Sequence, residues 1–174
     1  METLSYILSI LSLVSTVISF LIKDRRMKLI LFFVALGNAL MACSYLCITN
    51  MTGACTCFIG TVQTLINYFY ERKDKTIPVW LMCVYAVTLI AANLFVFSSW
   101  YDVLAILASL ISIMIISSKN GKIFRRWALT NNLIWCAYDL ISHSSGALIS
   151  HLVMSGFTTV GILMHDLKKT KSVK

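Results

Sequence analysis

The Lys and Arg residues of this chain are confined to four short clusters that separate long apolar stretches. The clusters lie at residues 23–28, 72–75, 119–126 and 168–174. The boundaries that alternate with them, around residues 49–53, 98–101 and 142–146, contain no Lys or Arg. Basic residues beside membrane helices stay on the cytoplasmic side. The pattern therefore predicts a multi-pass membrane protein that crosses an odd number of times, with its N-terminus outside and its C-terminus in the cytoplasm.

The composition agrees with a membrane protein, since 59% of the residues are hydrophobic and 13% are charged. A helix that crosses the hydrocarbon core needs about 20 largely apolar residues. We predict seven such spans, near residues 3–22, 29–48, 53–71, 77–98, 101–118, 126–143 and 147–166. The first is expected to be a retained helix, because it lacks the basic n-region and cleavage site of a signal peptide.

The net charge of +8 is distributed over all four clusters and forms no stripe with interleaved aromatic residues. It predicts contact with anionic lipid headgroups and not with nucleic acid. The six cysteines are Cys43, Cys47, Cys55, Cys57, Cys83 and Cys136. Neither of their close pairs has a further His or Cys at a spacing that completes a zinc site. We predict small packing residues here, with no metal site and no cofactor.

An internal repeat relates the second predicted span to the sixth. Residues 35–45 and 128–138 share the pattern A-L-x-N-x-L-x-x-C-x-Y, at an offset of 93 residues. Apolar composition alone does not account for a shared Asn, Cys and Tyr in register. Spans one to three are therefore predicted to repeat as spans five to seven. Because one further span intervenes, both copies enter the membrane from the same side, as parallel repeats do.

The repeat predicts an all-α membrane protein with seven transmembrane helices, arranged as two parallel three-helix bundles and a linker helix (3+1+3). The first bundle occupies residues 1–72, the linker helix lies within 73–99, and the second bundle with a basic tail occupies 100–174. Pro78, the single proline, suits the first turn of the fourth helix. An oligomer is compatible with this arrangement but is not required by it.

This arrangement resembles the transporter superfamily of SWEET, PnuC and PQ-loop proteins. Within it, the chain length, the short loops and the segment IGTVQTLI at residues 59–66 are similar to the bacterial inner-membrane YgjV family. The resemblance implies an inner-membrane location, an outside N-terminus and two bundles that rock about a midplane site. The chain has no Pro-Gln pair and lacks the prolines that SWEETs place in their bundles, so their hinge is not implied.

Polar side chains are concentrated in predicted spans two, three and six. Amide and ionisable groups at membrane depth are costly and usually face a bundle interior or a water-filled cavity. The repeat places Asn38 and Asn131 at matched depth, where we predict that they hydrogen-bond a polar solute. The alternative is that these amides join neighbouring helices. The predicted solute-binding residues are Asn38, Tyr45, Gln63, Asn67, Asn131, Asn132, Trp135 and Tyr138.

The aromatic members of this set, Tyr45, Trp135 and Tyr138, are predicted to stack on a sugar ring or a heteroaromatic base. The resemblance implies that the third span contributes polar residues to the cavity, which here are Gln63 and Asn67.

Asp139 and His143 are candidates for proton coupling, because His titrates near physiological pH. The alternative for both is an interfacial position from which the side chain reaches water, and we expect the same of His151. Asp102, beside Trp100 and Tyr101, is expected to be interfacial within an aromatic belt.

The resulting functional prediction is a transporter that moves a small polar solute, such as a sugar or a nucleoside-like vitamin, by alternating access. The alternative is a non-transport membrane protein on the same scaffold, namely a sorting receptor, a sensor or an assembly factor. An enzyme is not predicted, since Asp139 has no partner acid on its helix face and the serines have no paired base at a defined spacing.

Overall fold

The computed structural model describes residues 1–22, 27–117 and 121–164. Within these ranges the chain forms seven α-helices and no strand. The helices are α1 (Glu2–Leu21), α2 (Met27–Cys47), α3 (Met51–Arg72), α4 (Val79–Val96), α5 (Asp102–Ser117), α6 (Gly121–Ile141) and α7 (Ser145–Ile162). The seven predicted spans are thus confirmed as helices, although α6 begins about one turn before its predicted start.

Four of the helices, α1, α2, α4 and α7, are long and apolar enough to cross a membrane by length and composition. Among the described residues, the other three do not reach that standard. The apolar helix α5 is only 16 residues long, whereas α3 and α6 carry several amide and charged side chains. The prediction of seven spans is therefore supported by length and composition in four of them.

Packing places the middle helix of each predicted repeat between its two neighbours. Helix α2 packs along both α1 and α3, and α6 packs along both α5 and α7. Contacts of α1 with α7 and of α3 with α5 join these six helices into a ring, and α4 packs against α3 and α5. One face of α4 is left uncovered, with Val87 67% exposed and Leu94 61% exposed.

A row of buried serines on α1 faces α2. The row consists of Ser5, Ser9, Ser12, Ser15 and Ser19. The spacings of three and four residues place all five on one helix face. The Ser5 and Ser9 hydroxyls lie 2.8 and 2.7 Å from the Ser44 hydroxyl, and Ser12 donates to the Gly37 carbonyl oxygen at 2.7 Å. Small side chains and interhelical hydrogen bonds allow membrane helices to approach closely.

The helix ends whose connections carry no Lys or Arg lie together. A single cavity is lined by residues from the α2–α3 turn, the α4–α5 linker and the α6–α7 turn, which are the three boundaries without basic residues. The first turn of α1 is at the same end, where Ser5 meets Ser44. We call this the Lys/Arg-free end. Of the basic residues, Lys23, Arg25, Arg26, Lys119 and the cluster at 168–174 fall outside the described residues.

Candidate functional site

Five side chains from three helices meet inside the ring and form what we call the Asp139 cluster. Its members are Tyr45 of α2, Trp135, Tyr138 and Asp139 of α6, and His151 of α7. Tyr45, Tyr138 and Asp139 are fully buried, and Trp135 is 6% exposed. The residues of α6 share one face because they lie three and four positions apart.

The Asp139 carboxylate is hydrogen-bonded through both of its oxygens. The Tyr45 hydroxyl donates to Oδ1 at 2.5 Å, and Nδ1 of His151 lies 2.6 Å from Oδ2. A buried carboxylate is tolerated only when such partners replace its hydration. The carboxylate therefore ties α6 to α2 on one side and to α7 on the other.

Aromatic rings surround this carboxylate. The Trp135 ring stacks on the His151 ring, with centroids 5.5 Å apart and planes 15° apart. The Tyr45 ring stacks on the Trp135 ring, with centroids 6.3 Å apart and planes 29° apart. The Tyr138 ring meets the Trp135 ring edge-on, with centroids 5.5 Å apart and planes 89° apart. Both arrangements are favoured by the quadrupoles of the rings. The stack orients the imidazole of His151 toward the acid.

A second network extends the cluster to the Lys/Arg-free end. The Tyr138 hydroxyl donates to Oδ1 of Asn50 at 2.6 Å, and Nδ2 of Asn50 donates to the Ser144 hydroxyl at 3.1 Å. Asn50 also caps α3, because Gly53 N donates to its Oδ1 at 2.9 Å. One asparagine thus links the α2–α3 turn to the α6–α7 turn.

The two turns have the same backbone hydrogen bonding. Asn50 N donates to the Tyr45 carbonyl oxygen at 3.0 Å, and Ser144 N donates to that of Asp139 at 2.9 Å. The residues before them, Thr49 and His143, both have a left-handed φ, of 58° and 55°. These pairs are 94 residues apart, one more than the sequence repeat within the helices. The two turns therefore correspond at an offset of 94 residues, one residue more than the offset of 93 that aligns the sequences of the helices before them.

A cavity of about 460 Å³ lies next to this network at the Lys/Arg-free end. It is lined by Ile48, Thr49, Asn50, Met51, Thr52, Val96, Ser98, Tyr101, Asp102 and Ser142. Asp102 is only 1% exposed, and its Oδ2 accepts the backbone N–H groups of Ser98 and Ser99, both at 2.9 Å. The carboxylate is thus built into the α4–α5 linker at the N-terminal end of α5 and is buried within the protein.

The matched asparagines of the repeat have different surroundings. Asn38 is half-buried and faces α3, where a Cβ added to Gly60 would lie 3.4 Å from its Nδ2. Asn131 faces α5, with its Oδ1 3.4 Å from the Ser112 hydroxyl. Asn132 is half-buried on α6. Among the described residues, no hydrogen bond or ring contact joins these three asparagines to the Asp139 cluster.

Gln63 and Asn67 lie on the α3 face that packs toward α4. Gln63 is 5% exposed and Asn67 is 2% exposed. The Tyr85 hydroxyl donates to Oδ1 of Asn67 at 3.1 Å, but Nε2 of Gln63 and Nδ2 of Asn67 have no hydrogen-bond partner among the described residues. Buried donors of this kind are normally satisfied by protein, water or a ligand. The two amides are therefore available to an oxygen acceptor.

The structure places the two candidates for proton coupling, Asp139 and His143, in different surroundings. Helix α6 ends at Ile141, so His143 is not one helical turn beyond Asp139 but lies in the turn, exposed and with a left-handed φ. The partner is His151 instead, which is 16% exposed and belongs to the next helix. The turn at 142–144 makes α7 the neighbour of α6, but residue 139 lies three residues before that turn and residue 151 seven after it, so spacing alone does not indicate the pair.

The sequence argument also missed Asn50 and the serine row. Asn is a preferred N-cap residue, and Asn50 stands directly before an apolar run. The serine spacing along α1 was readable as a helix face. Among the described residues, no group of three His, Cys, Asp or Glu side chains is placed to hold a metal ion.

Seven helices, several of them apolar along their whole length, and a paired buried carboxylate define a multi-pass helical membrane protein. Residues 3–169 match the Imp-YgjV family, described as a bacterial inner membrane protein. The chain belongs to this family, and the resemblance to YgjV proteins is confirmed. No curated protein and no solved structure matches the chain.

Proposed function

We propose that this inner membrane protein is a transporter that moves a small polar solute by alternating access. Two halves, α1–α3 and α5–α7, would rock against each other as the two bundles of a SWEET-like 3+1+3 transporter do, with α4 as the linker. The observation that carries the proposal is a group of hydrogen bonds between the halves, which among the described residues lie toward the Lys/Arg-free end. These are Tyr45–Asp139, Tyr138–Asn50, Asn50–Ser144 and Ser150 to the Ser9 carbonyl.

The pairs in this set support a twofold relation between the halves. Tyr45 and Asp139 are 94 residues apart, as are Asn50 and Ser144, and this is the offset that superimposes the two turns. Corresponding residues of two repeats touch each other only near the axis that relates them. The Tyr45–Asp139 bond is therefore where a rocking motion would open or close the protein.

The bonds at the Lys/Arg-free end act as a gate in this proposal. By the positive-inside rule that end faces outward, with the N-terminus outside and the C-terminus in the cytoplasm. The solute site lies deeper, at the level of Asn38 and Asn131, with Trp135 between it and the gate. Gln63 and Asn67 offer two further amide donors on α3. Hydrogen-bond donors without a protein partner suit a hydroxyl- or carbonyl-bearing solute.

Asp139 and His151 are the groups that would couple transport to protons, in place of Asp139 and His143. Nδ1 of His151 lies 2.6 Å from Oδ2 of Asp139, so a proton can pass between the two groups. Loss of that pairing would weaken the tie among α2, α6 and α7. No energy source beyond the solute and proton gradients is required.

The transport proposal is tested by flux into proteoliposomes. The purified protein is reconstituted, and uptake of radiolabelled glucose, uridine and nicotinamide riboside is compared with that of empty liposomes. We expect uptake of at least one of these classes, altered by Asp139→Asn and unchanged by Asp74→Asn, which alters an exposed acid in the α3–α4 connection. If none of these solutes is taken up under any pH gradient, the transport proposal is refuted.

A second candidate is a sensor or assembly factor on the same scaffold. It is favoured by the completeness of the gate network, because both oxygens of Asp139 and both polar atoms of Asn50 are already bonded within the protein. Such a network suits a static scaffold as well as a moving one. A stable, well-folded protein without flux in the experiment above would favour this candidate.

The proposed orientation has its own test. Reporter enzymes that are active on only one side of the membrane are fused after Lys174 and before Met1. We expect a cytoplasmic signal for the first fusion and a periplasmic signal for the second. The reverse result would overturn both the orientation and the outward-facing gate.

A further inference from the structure

The cavity at the Lys/Arg-free end carries an inference about the chemistry of the solute. Its volume of about 460 Å³ falls within the range of small-molecule sites. Its walls come from three separate chain segments, which contribute Asn50, Tyr101, Asp102 and Ser142 among others. Asn50 is also a member of the gate network, so the cavity lies directly against the proposed gate.

Among the described residues, the hydrogen bonds of the Asp102 carboxylate are concentrated on one of its two oxygens. All the hydrogen bonds that Asp102 accepts end on Oδ2: the N–H groups of Ser98 and Ser99 at 2.9 Å and the Ser98 hydroxyl at 3.3 Å. Among the described residues, none ends on Oδ1. The residue is 99% buried, since its exposure is 1%. The linker thus holds the carboxylate in place by one oxygen and leaves the other for a ligand.

No Lys, Arg or His among the residues that line the cavity neutralises this acid. None of the residues that line the cavity is Lys, Arg or His, and the boundaries at this end contain no Lys or Arg in the sequence. Two backbone N–H groups and the N-terminus of α5, of which Asp102 is the first residue, stabilise the carboxylate but do not neutralise its net charge. A cationic ligand would neutralise that charge, whereas an anionic one would be repelled.

An aromatic ring lies beside the acid. Tyr101 precedes Asp102 in the chain and lines the same cavity. Its ring is held by Tyr138 at 5.9 Å and by Trp100 at 6.0 Å between centroids. A tyrosine face attracts ammonium and guanidinium groups. A carboxylate and an aromatic ring face are the groups with which proteins bind organic cations.

We propose that this cavity binds the positively charged group of an organic cation: an amine, a guanidinium or a quaternary ammonium. The identification of this cation with a transported solute rests on the proposed transport function, but the binding does not. Asp102 supplies the charge and Tyr101 supplies the ring face. The cavity then selects the solute before the gate admits it.

Binding is measured by calorimetry on the purified full-length protein in detergent, with choline, ethanolamine and guanidinium as probes. The neutral control is 3,3-dimethylbutan-1-ol, which has the shape of choline without its charge. We expect at least one cation to bind, and if that cation is choline, its neutral isostere to bind at least tenfold more weakly. Asp102→Asn should weaken cation binding at least tenfold, because it keeps an oxygen for Ser98 and Ser99 but removes the charge. Asp74→Asn is the matched control and should bind as the wild type does.

If Asp102→Asn does not fold, Tyr101→Leu still tests the site, because it removes the ring independently. We expect this variant to bind choline more weakly. The proposal is overturned if none of the three cations binds, if the isostere matches choline, or if a folded Asp102→Asn binds as the wild type does. Cation binding without any flux would support the binding site and refute the transport function. Flux of a neutral sugar without cation binding would support the transport function and refute the binding site.

Discussion

Gly53, in the first turn of α3, allows Tyr45 to reach Asp139. A Cβ added to Gly53 would lie 2.9 Å from Cγ and Cδ1 of the Tyr45 ring and 3.0 Å from Cδ2. Ordinary contact begins at 3.4 Å, so the ring would have to retreat by roughly 0.5 Å. The ring is fully buried and packed on Trp135. It has no free space to move into, and any shift lengthens its 2.5 Å bond to the carboxylate.

We therefore predict that Gly53→Ala lowers the free energy of unfolding by about 1–3 kcal/mol, the usual cost of overpacking. The matched control is Gly156→Ala in α7, where an added Cβ meets nothing within 4 Å. There the gain in helix propensity should leave stability unchanged or raise it by up to about 1 kcal/mol. Unfolding by SDS in mixed micelles, followed by tryptophan fluorescence, measures both variants. A Gly53→Ala protein as stable as Gly156→Ala would refute the geometry of the Tyr45 contact.

Three further substitutions test the Asp139 cluster and the network around it, in the same unfolding assay. Tyr45→Phe removes a hydroxyl from the buried carboxylate and should cost about 1–3 kcal/mol, whereas the exposed Tyr6→Phe should be neutral; equal effects would contradict the hydrogen bond. His151→Leu leaves one oxygen of that carboxylate unpaired and should cost about 3–5 kcal/mol, whereas His143→Leu in the exposed turn should change little; the reverse order would contradict the contact of Asp139 with His151. Asn50→Ala removes a helix cap, worth about 1 kcal/mol, and also two hydrogen bonds between the halves. We therefore expect the free energy of unfolding to fall by well above ~1 kcal/mol. A decrease no larger than the value of the cap would show that the two hydrogen bonds contribute nothing.

Sequence reasoning recovered the helices because charge position and apolar length determine where a membrane helix begins and ends. It also selected the polar face of α6, since Trp135, Tyr138 and Asp139 share helical spacing. The cluster built on that face needed a different kind of information. His151 comes from another helix, and its distance from Asp139 depends on where the intervening turn lies.

The asparagines show a second limit of the sequence argument. Asn38 and Asn131 occupy matched positions in the repeat, yet one faces Gly60 and the other faces Ser112. A repeat in sequence predicts equal depth along the helix axis. It does not predict equal rotation about that axis, because rotation is set by contacts with the neighbouring helices, whose side chains differ between the two halves.

The partners of Asp139 have a consequence for biogenesis. Tyr45 precedes the acid in the chain, and His151 follows it. Because α7 is synthesised after α6, Tyr45 is the partner that is available first to the carboxylate, and the second oxygen is bonded only when α7 is in place. Helix α7 therefore completes a polar contact that α6 has begun. A chain truncated before α7 would retain an unsatisfied acid and be recognisable to the machinery that removes incompletely assembled membrane proteins.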